Sequence, residues 1–411
     1  MAKPHLYEHT LAHFPVRNGN LLIGGIELPR LAQRVGCTPF YAYDRQHISQ
    51  RVVALRQAMP GGLKIHYAIK ANPMPAVVQH LAGLVDGLDV ASAGEMKVAL
   101  DTGLPPETIS MAGPGKRPQE LRQAIAAGIG INVESLAELE TLAQLAEATG
   151  FAAQVSLRIN PAFELKASGM KMGGGAKQFG IDEELLPVVL ARIQALGLDF
   201  VGFHIYSGSQ NLNAEAISIA QQKSIELAIS LAGLCPTPIK KLNIGGGFGI
   251  PYFPGDVPLN IQQVGENLAA AMALFKAEQP QADVIVELGR YLVGEAGVYV
   301  CQVVDKKVSR GQTFLVADGG LHHHLAASGN FGQVLRKNYP VAIGNKMAAV
   351  DTETVSIVGP LCTPLDMIAD KVELPVAEVG DFVVVYQSGA YGYTASPINF
   401  LSQGVCTEIM A

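Results

Sequence analysis

Between residues 63 and 288 the chain repeats one pattern eight times: a short β-rich apolar run bounded by Gly, Pro or Asn, then a longer stretch in which helical sequence appears. The runs are "KIHYAIK" (64–70), "GLDV" (87–90), "TISMAG" (108–113), "GINVE" (130–134), "QVSLRIN" (154–160), "FVGFHI" (200–205), "KLNIG" (241–245) and "VIVEL" (284–288). Helical stretches such as "AGEMKVALDTG" and "VESLAELETLAQLAEATG" stand between them. In the second of these, Leu136, Leu139, Leu142 and Leu145 recur at three-residue spacing and predict one apolar stripe. Strands that alternate with helices pair in parallel. Eight units in about 225 residues match a closed (β/α)8 TIM-type barrel. An open doubly wound sheet is the alternative, and the even spacing of the first five units and the total of eight favour the barrel.

After about residue 290 the pattern changes. "VYVCQVVDKKV", "QTFLVADGG", "ETVSIVG" and "DFVVVYQSG" read as strands with no comparable helices between them, which predicts a separate C-terminal β-domain. The expected division is a barrel over residues 39–290 and a β-domain made of 1–38 and 291–411, the first segment adding strands through "GNLLIGGIEL". An insertion after the fifth run, "PAFELKASGMKMGGGAKQFG" (161–180), is too Gly-rich for a helix and reads as a lid over the barrel mouth. Hydrophobic residues make up 49% and charged residues 16%, enough for a large core and too apolar for disorder. The net charge of −6 and the absence of a long basic run exclude a general nucleic-acid surface. No apolar run reaches membrane-spanning length and the N-terminus carries no signal-type h-region, so a cytoplasmic protein is expected. Cys37, Cys235, Cys301, Cys362 and Cys406 are odd in number and scattered, unlike a disulfide framework or zinc site.

The chemistry follows from the barrel. Active sites of such barrels gather at the C-terminal ends of the strands, with phosphate held after strands seven and eight. Here the seventh run ends in Gly245, Gly246 and Gly247, and the eighth leads into Glu287, Gly289 and Arg290. A glycine run lets backbone N–H groups approach an anion, and an arginine adds a two-pronged clamp. Lys70 falls at the end of the first run, just before Asn72-Pro73. Alone, it reads more readily as a strand-end lysine salt-bridged at the rim. Beside a phosphate cradle and the strand-end acid Glu287, it points to pyridoxal 5′-phosphate, with Lys70 as the Schiff-base amine and Glu287 holding the ring nitrogen protonated. His322, His323 and His324 invite a metal reading, but adjacent residues on a strand face opposite sides, so a polar wall or interface is preferred and no metal is expected. "GMKMGGGAK" lacks the Gly-Lys-Ser/Thr ending of a P-loop.

In order, "YAIKAN", "DVASAGEM", "RINP", "HIYSGSQ", "NIGGGFG", "ELGR", "GPLC" and "GAYGY" resemble the alanine-racemase-like, fold-type III decarboxylases of diaminopimelate, ornithine and arginine. The likeness covers nearly the whole chain and is greatest to the diaminopimelate decarboxylase branch. Within it, "LHHHLAASGNFGQVLRKNYP" and "GPLCTPLD" are similar to the exosortase-system-associated pyridoxal-dependent decarboxylases. The resemblance implies that Lys70 anchors the cofactor and that Glu287 pairs with its ring nitrogen. Gly245, Gly246, Gly247, Ser209, Gly289 and Arg290 would hold the phosphate, Tyr391 would touch the cofactor, and Asp89 and Arg158 would brace the ring or Glu287. Cys362 would be a catalytic thiol reaching into the partner's barrel of a homodimer with shared sites.

Three positions depart from the pattern. Thr363 follows the cysteine where diaminopimelate decarboxylases usually have a glutamate that reads the far end of the substrate, and Asp366 comes three residues later. Tyr206 stands where the family has a histidine over the ring, with His204 two residues before it, and either could stack there. "SPIN" (396–399) replaces "SxYN". Arg336, Tyr339 and Asp318 are further candidates for the substrate. The expected reaction is α-decarboxylation of an amino acid. The substrate is diaminopimelate in the first reading, and a different or carrier-protein-tethered amino acid in the alternative. A racemase of this fold tends to place arginine at the ring nitrogen, which Glu287 opposes. A non-catalytic cofactor-binding homologue is opposed by the joint presence of Lys70 and Cys362.

Overall fold

The eight runs form eight parallel strands: β1 (Lys64–Ala68), β2 (Gly87–Val90), β3 (Ile109–Met111), β4 (Gly130–Val133), β5 (Gln154–Asn160), β6 (Asp199–Ile205), β7 (Lys241–Gly246) and β8 (Asp283–Leu288). In the computed structural model, which describes residues 13–163, 170, 171, 173–331, 333 and 336–411, they close into a barrel. Each pairs with its neighbour in sequence, β8 returns to β1 through Ile285↔Lys64 and Leu288↔Tyr67, and β4 meets β5 through Ile131↔Val155. Closure leaves no exposed sheet edge and buries the strands on both faces, which is why they read as continuous apolar runs.

The helices between them start where the sequence caps them. Ser92 accepts from the Glu95 N–H, and Ser135 accepts from the Glu138 N–H. In the helix Leu136–Thr149 the leucine stripe holds for Leu139, Leu142 and Leu145, but Leu136 is exposed. Steps of three residues drift backward around a helix of 3.6 residues per turn, so the first leucine falls off the buried face. Each leucine fully buried there contributes about 1.5–3 kcal/mol.

The contact pattern divides the chain into two units, one of residues 51–250 and 257–291, the other of 1–50, 251–256 and 292–411. The second holds a mixed sheet. Val341–Ile343, Phe382–Val385, Gly297–Ser309, Gln312–Ala317, Thr352–Val358 and Met367–Pro375 follow one another across it, and Phe40–Tyr43 joins both Gly297–Val300 and Thr407–Met410. Residues 39–50 and 251–256, expected with the barrel, therefore group with the β-domain. Phe40–Tyr43 is paired there on both sides, Pro251 accepts from the Gln387 side chain, and Tyr252 packs on Tyr339 with ring centroids 4.9 Å apart. "GNLLIGGIEL" forms a small antiparallel sheet of its own, continued by an unexpected helix, Leu28–Val35. Leu21, Ile23, Leu28 and Leu31 pack into one core with Phe40, Val298, Val300 and Val384.

Part of the expected lid, residues 164–169 and 172, lies outside the described residues. Met170–Lys171 within it is a short strand paired with Gly208–Ser209. Among the described residues no helix is long and apolar enough to cross a membrane.

Candidate active site

Lys70 lies two residues beyond β1. The strand stops at Ala68, and Ile69–Ala71 form a 3-10 turn closed by the Asn72 N–H on the Ile69 carbonyl at 2.9 Å. The break comes here because the residue before proline avoids helical backbone, and Pro73 follows Asn72. The Lys70 amine is thus held at the C-terminal end of the barrel, 3.4 Å from Glu287 Oε1 and 5.3 Å from the centre of the Tyr206 ring. Its side chain is 41% exposed, whereas that of Glu287 is 4% exposed. The second carboxylate oxygen of Glu287 is 3.0 Å from His204 Nε2. Burial pushes the Glu287 pKa up, but Lys70, His204 and Arg158 outweigh it and hold the carboxyl well below the usual carboxylate range. His204 is therefore a buried partner of Glu287, while Tyr206, half-buried, is the ring beside the Lys70 amine.

The glycines after β7 are required by geometry. Gly245 and Gly247 have φ of +69° and +73°, and a Cβ on Gly247 would run into the Gly208 carbonyl. The Asn211 N–H donates to the Gly247 carbonyl at 3.0 Å, and the Asn243 side chain accepts from the Gly245 N–H at 2.8 Å. This laces the Gly245–Gly247 loop to the loop that carries Ser209. Gly246 packs on the Glu287 backbone. Gly289 packs on Ala71, where an added Cβ would stand 2.8 Å from the alanine methyl, and Arg290 opens the helical turn that follows.

Arg158 and Asp89 lie in the barrel wall. Arg158 Nη1 donates to Glu134 Oε1 at 2.9 Å, with both side chains buried. Asp89 is engaged inside the barrel, accepting from Ser110 Oγ at 2.5 Å and lying 3.3 Å from His66 Nδ1. Glu134 was not anticipated. Its carboxylate takes Arg158, the Gly113 N–H at 2.6 Å and the Gly180 N–H at 3.1 Å, which ties together the ends of β3, β4 and β5 and the end of the insertion. Burial works against its charge, yet Arg158 and Lys116 hold its pKa low. The signal was available: a carboxylate at the end of the fourth strand run, just ahead of the Ser135–Glu138 cap, whose Glu138 accepts from the Glu134 N–H at 2.8 Å. Lys116, almost fully buried, reaches Glu138 at 2.7 Å.

The remaining candidates belong to the β-domain. Cys362 is exposed in the loop after Thr352–Val358, next to a half-buried Thr363. Tyr391 has a positive φ of 52°. Tyr339 is buried against Tyr252, Phe253 and His324. Arg336 Nη2 donates to the Met367 carbonyl at 2.5 Å. Two expected substrate ligands have other tasks. Asp318 takes the Gln302 N–H at 2.8 Å and the Thr38 hydroxyl, and Asp366 takes the N–H groups of Leu321 and Leu361 at 2.7 and 2.8 Å. Each carboxylate thus holds two separate segments of the β-domain together. The histidines lie in a turn, not on a strand, and all three are buried. His323 Nε2 is 2.7 Å from the Gly404 carbonyl and His324 Nε2 is 2.9 Å from Ser388 Oγ. Among the described residues no group of His, Cys, Asp or Glu is arranged to hold a metal ion.

The barrel donors suit pyridoxal 5′-phosphate: a reachable primary amine, a buried carboxylate kept ionised beside it, and tight glycine backbone next to a serine loop. The comparisons agree. The family model described as "Pyridoxal-dependent decarboxylase, pyridoxal binding domain" matches residues 45–294. An L-glutamyl-[BtrI acyl-carrier protein] decarboxylase of Niallia circulans is 37% identical over 91% of this chain and 88% of its own length. A diaminopimelate decarboxylase of Aquifex aeolicus is 34% identical over 92% and 88%. Among solved structures, diaminopimelate decarboxylase from Helicobacter pylori complexed with L-lysine superposes with a TM-score of 0.82 at 28% identity, covering 93% of this chain and 94% of that one. The M. jannaschii diaminopimelate decarboxylase in complex with L-lysine gives 0.86 at 26% identity, covering 97% and 92%. With a matched pyridoxal-binding model over more than half of its length and relatives above 30% identity along nearly all of it, this chain belongs to the pyridoxal-dependent decarboxylases, of the diaminopimelate and ornithine decarboxylase type.

Proposed function

We propose that the chain removes the α-carboxylate of an amino acid carried on a carrier protein, using Lys70 as the covalent anchor of its cofactor, pyridoxal 5′-phosphate. The observation that carries the chemistry is the Lys70 amine 3.4 Å from a buried, ionised Glu287. The bound cofactor supplies the sink for the electron pair left when CO₂ departs. Glu287 keeps a proton on the ring nitrogen, and Lys70, His204 and Arg158 keep Glu287 charged. Tyr206 covers the ring, and Gly245, Gly246, Gly247, Ser209, Gly289 and Arg290 bind the phosphate. Lys70 and Cys362 are the proton donors for Cα, and Tyr391 adds a contact to the cofactor. Arg336 and Tyr339 serve a substrate carboxylate. Cys362 acts in the partner's barrel of a homodimer, in the cytoplasm.

The choice of substrate rests on Thr363, which offers no carboxylate for the distal ammonium of diaminopimelate, and on the 37% identity to a decarboxylase of a carrier-bound glutamyl group. The second reading, free diaminopimelate, is favoured by relatives at 34% and 32% identity. A CO₂-release screen with free diaminopimelate, free glutamate and a glutamyl-carrier thioester separates them. Turnover of the thioester well above both free amino acids supports the proposal, and preferential turnover of diaminopimelate overturns it.

A further inference from the structure

Asp366 joins two separate loops of the β-domain. Its side chain is buried, and its two oxygens reach two different loops: Oδ1 accepts the Leu321 N–H at 2.7 Å, and Oδ2 accepts the Leu361 N–H at 2.8 Å. Its backbone closes the same loop, with its N–H on the Thr363 carbonyl at 3.2 Å and its carbonyl accepting the Gly359 N–H at 3.0 Å. The Thr363 N–H turns back to the Leu361 carbonyl at 2.8 Å. Cys362 sits between two of these anchored residues and is itself exposed.

Two glycines in separate motifs have one explanation here. A Cβ on Gly320, in "ADGGL", or on Gly359, in "VGPLC", would collide with the Asp366 carboxylate. Burying a carboxylate against backbone N–H groups is expensive unless both bonds are made well. Hydrogen bonds of this kind fix the loop backbone more firmly than apolar packing does, because they have direction.

We propose that Asp366 is the positioning residue for Cys362: its carboxylate clasps the 320–324 turn to the 359–363 loop and sets where the thiol stands. This rests on the reading of Cys362 as a proton donor in the reaction. Misplacing a reacting group by about 1 Å costs on the order of 100-fold in rate.

The test is a double-mutant cycle on the holoenzyme with Asp366→Asn and Cys362→Ala. Asparagine keeps the shape but turns an NH₂ toward one of the two N–H donors, so one bond is lost. The expected result is a fall in kcat of about 100-fold for Asp366→Asn, with KM little changed and the visible absorbance of bound cofactor retained. In the Cys362→Ala background the same change has no further effect on kcat. A merely structural acid would lower kcat by the same factor in both backgrounds, and that result overturns the clasp while leaving the function of Cys362 intact. Full activity of Asp366→Asn also overturns it. If Cys362→Ala is as active as the parent, the reading of Cys362 fails first and the clasp's role with it. Gly320→Ala, which presses on the carboxylate from the other loop, is the second variant. It gives the same non-additive pattern if the proposal holds, and an additive one if it does not.

Discussion

In the barrel, the carboxylate of Glu287 is buried beside Lys70, His204 and Arg158, and stays charged. In the β-domain, His322 and His324 are buried where no such compensation exists, and burial drives their pKa values down to about 4 and about 3, with His323 adding to the effect on His322. The barrel keeps this buried charge by pairing it, whereas this turn of the β-domain holds its histidines neutral. The difference follows from use. On the proposed function, the Glu287 charge serves the ring nitrogen of the cofactor and has to be stabilised by neighbours, whereas a histidine that fills a polar turn is held more cheaply as the neutral base. Buried Glu134, Arg158, Lys116 and Glu138 extend the barrel's pairing around several strand ends.

The contrast can be broken most directly at its charged centre. Lys70→Ala is expected to lower CO₂ release by about 10³-fold or more and to remove the visible absorbance of the purified protein. An active, coloured variant would sink the assignment of the anchor. Glu134→Ala comes next. It leaves the Arg158 guanidinium buried without its carboxylate, so urea unfolding should show a loss of about 3–5 kcal/mol, against much less if the pair is solvated. Gly247→Ala, at φ +73° and against the Gly208 carbonyl, should weaken cofactor binding by about tenfold, or about 1.4 kcal/mol, read by titrating apoprotein with pyridoxal phosphate.

The smallest effect is on pH dependence, and it separates the two units. A neutral buried histidine binds no proton until the pH nears its lowered pKa, whereas the unfolded chain binds one below about 6.5. The histidines therefore withdraw stability as pH falls from about 6.5 towards 4. Glu287 is shifted in the same direction, downward, but from a lower starting value. Its contribution is complete above the ordinary carboxylate pKa, about 4.5, and is lost only as pH falls further. His322→Leu should flatten the thermal-midpoint profile between pH 6.5 and 4 and leave the steeper acid limb unchanged. A profile unaffected in the upper window would show that His322 is not buried as the neutral base.

The strand runs marked every barrel strand because each is a local signal: a few apolar residues, a turn, then a helix. Lys70, Glu287 and the glycines were legible for the same reason, since barrel strands deliver their ends to one rim in chain order. Asp318 and Asp366, expected at the substrate, are found accepting from backbone N–H groups. An acid near a motif looks alike in sequence whether it faces substrate or two backbone N–H groups, and only the fold supplies those donors. His204 and Tyr206 were likewise open until Glu287 was seen 3.0 Å from the histidine.

What the sequence by itself determined was the repeating unit, and with it the barrel, the order of the rim residues and the change to a β-domain after residue 290. Tertiary structure decided the partners. Phe40–Tyr43 is a short strand whose place depends on Thr407–Met410 and Gly297–Val300. The Arg158–Glu134 pair and the Asp366 clasp likewise join residues from separate loops or strands. Periodicity reports which face of an element is apolar. Hydrogen bonds between distant segments are settled only when packing has brought their donors and acceptors into one place.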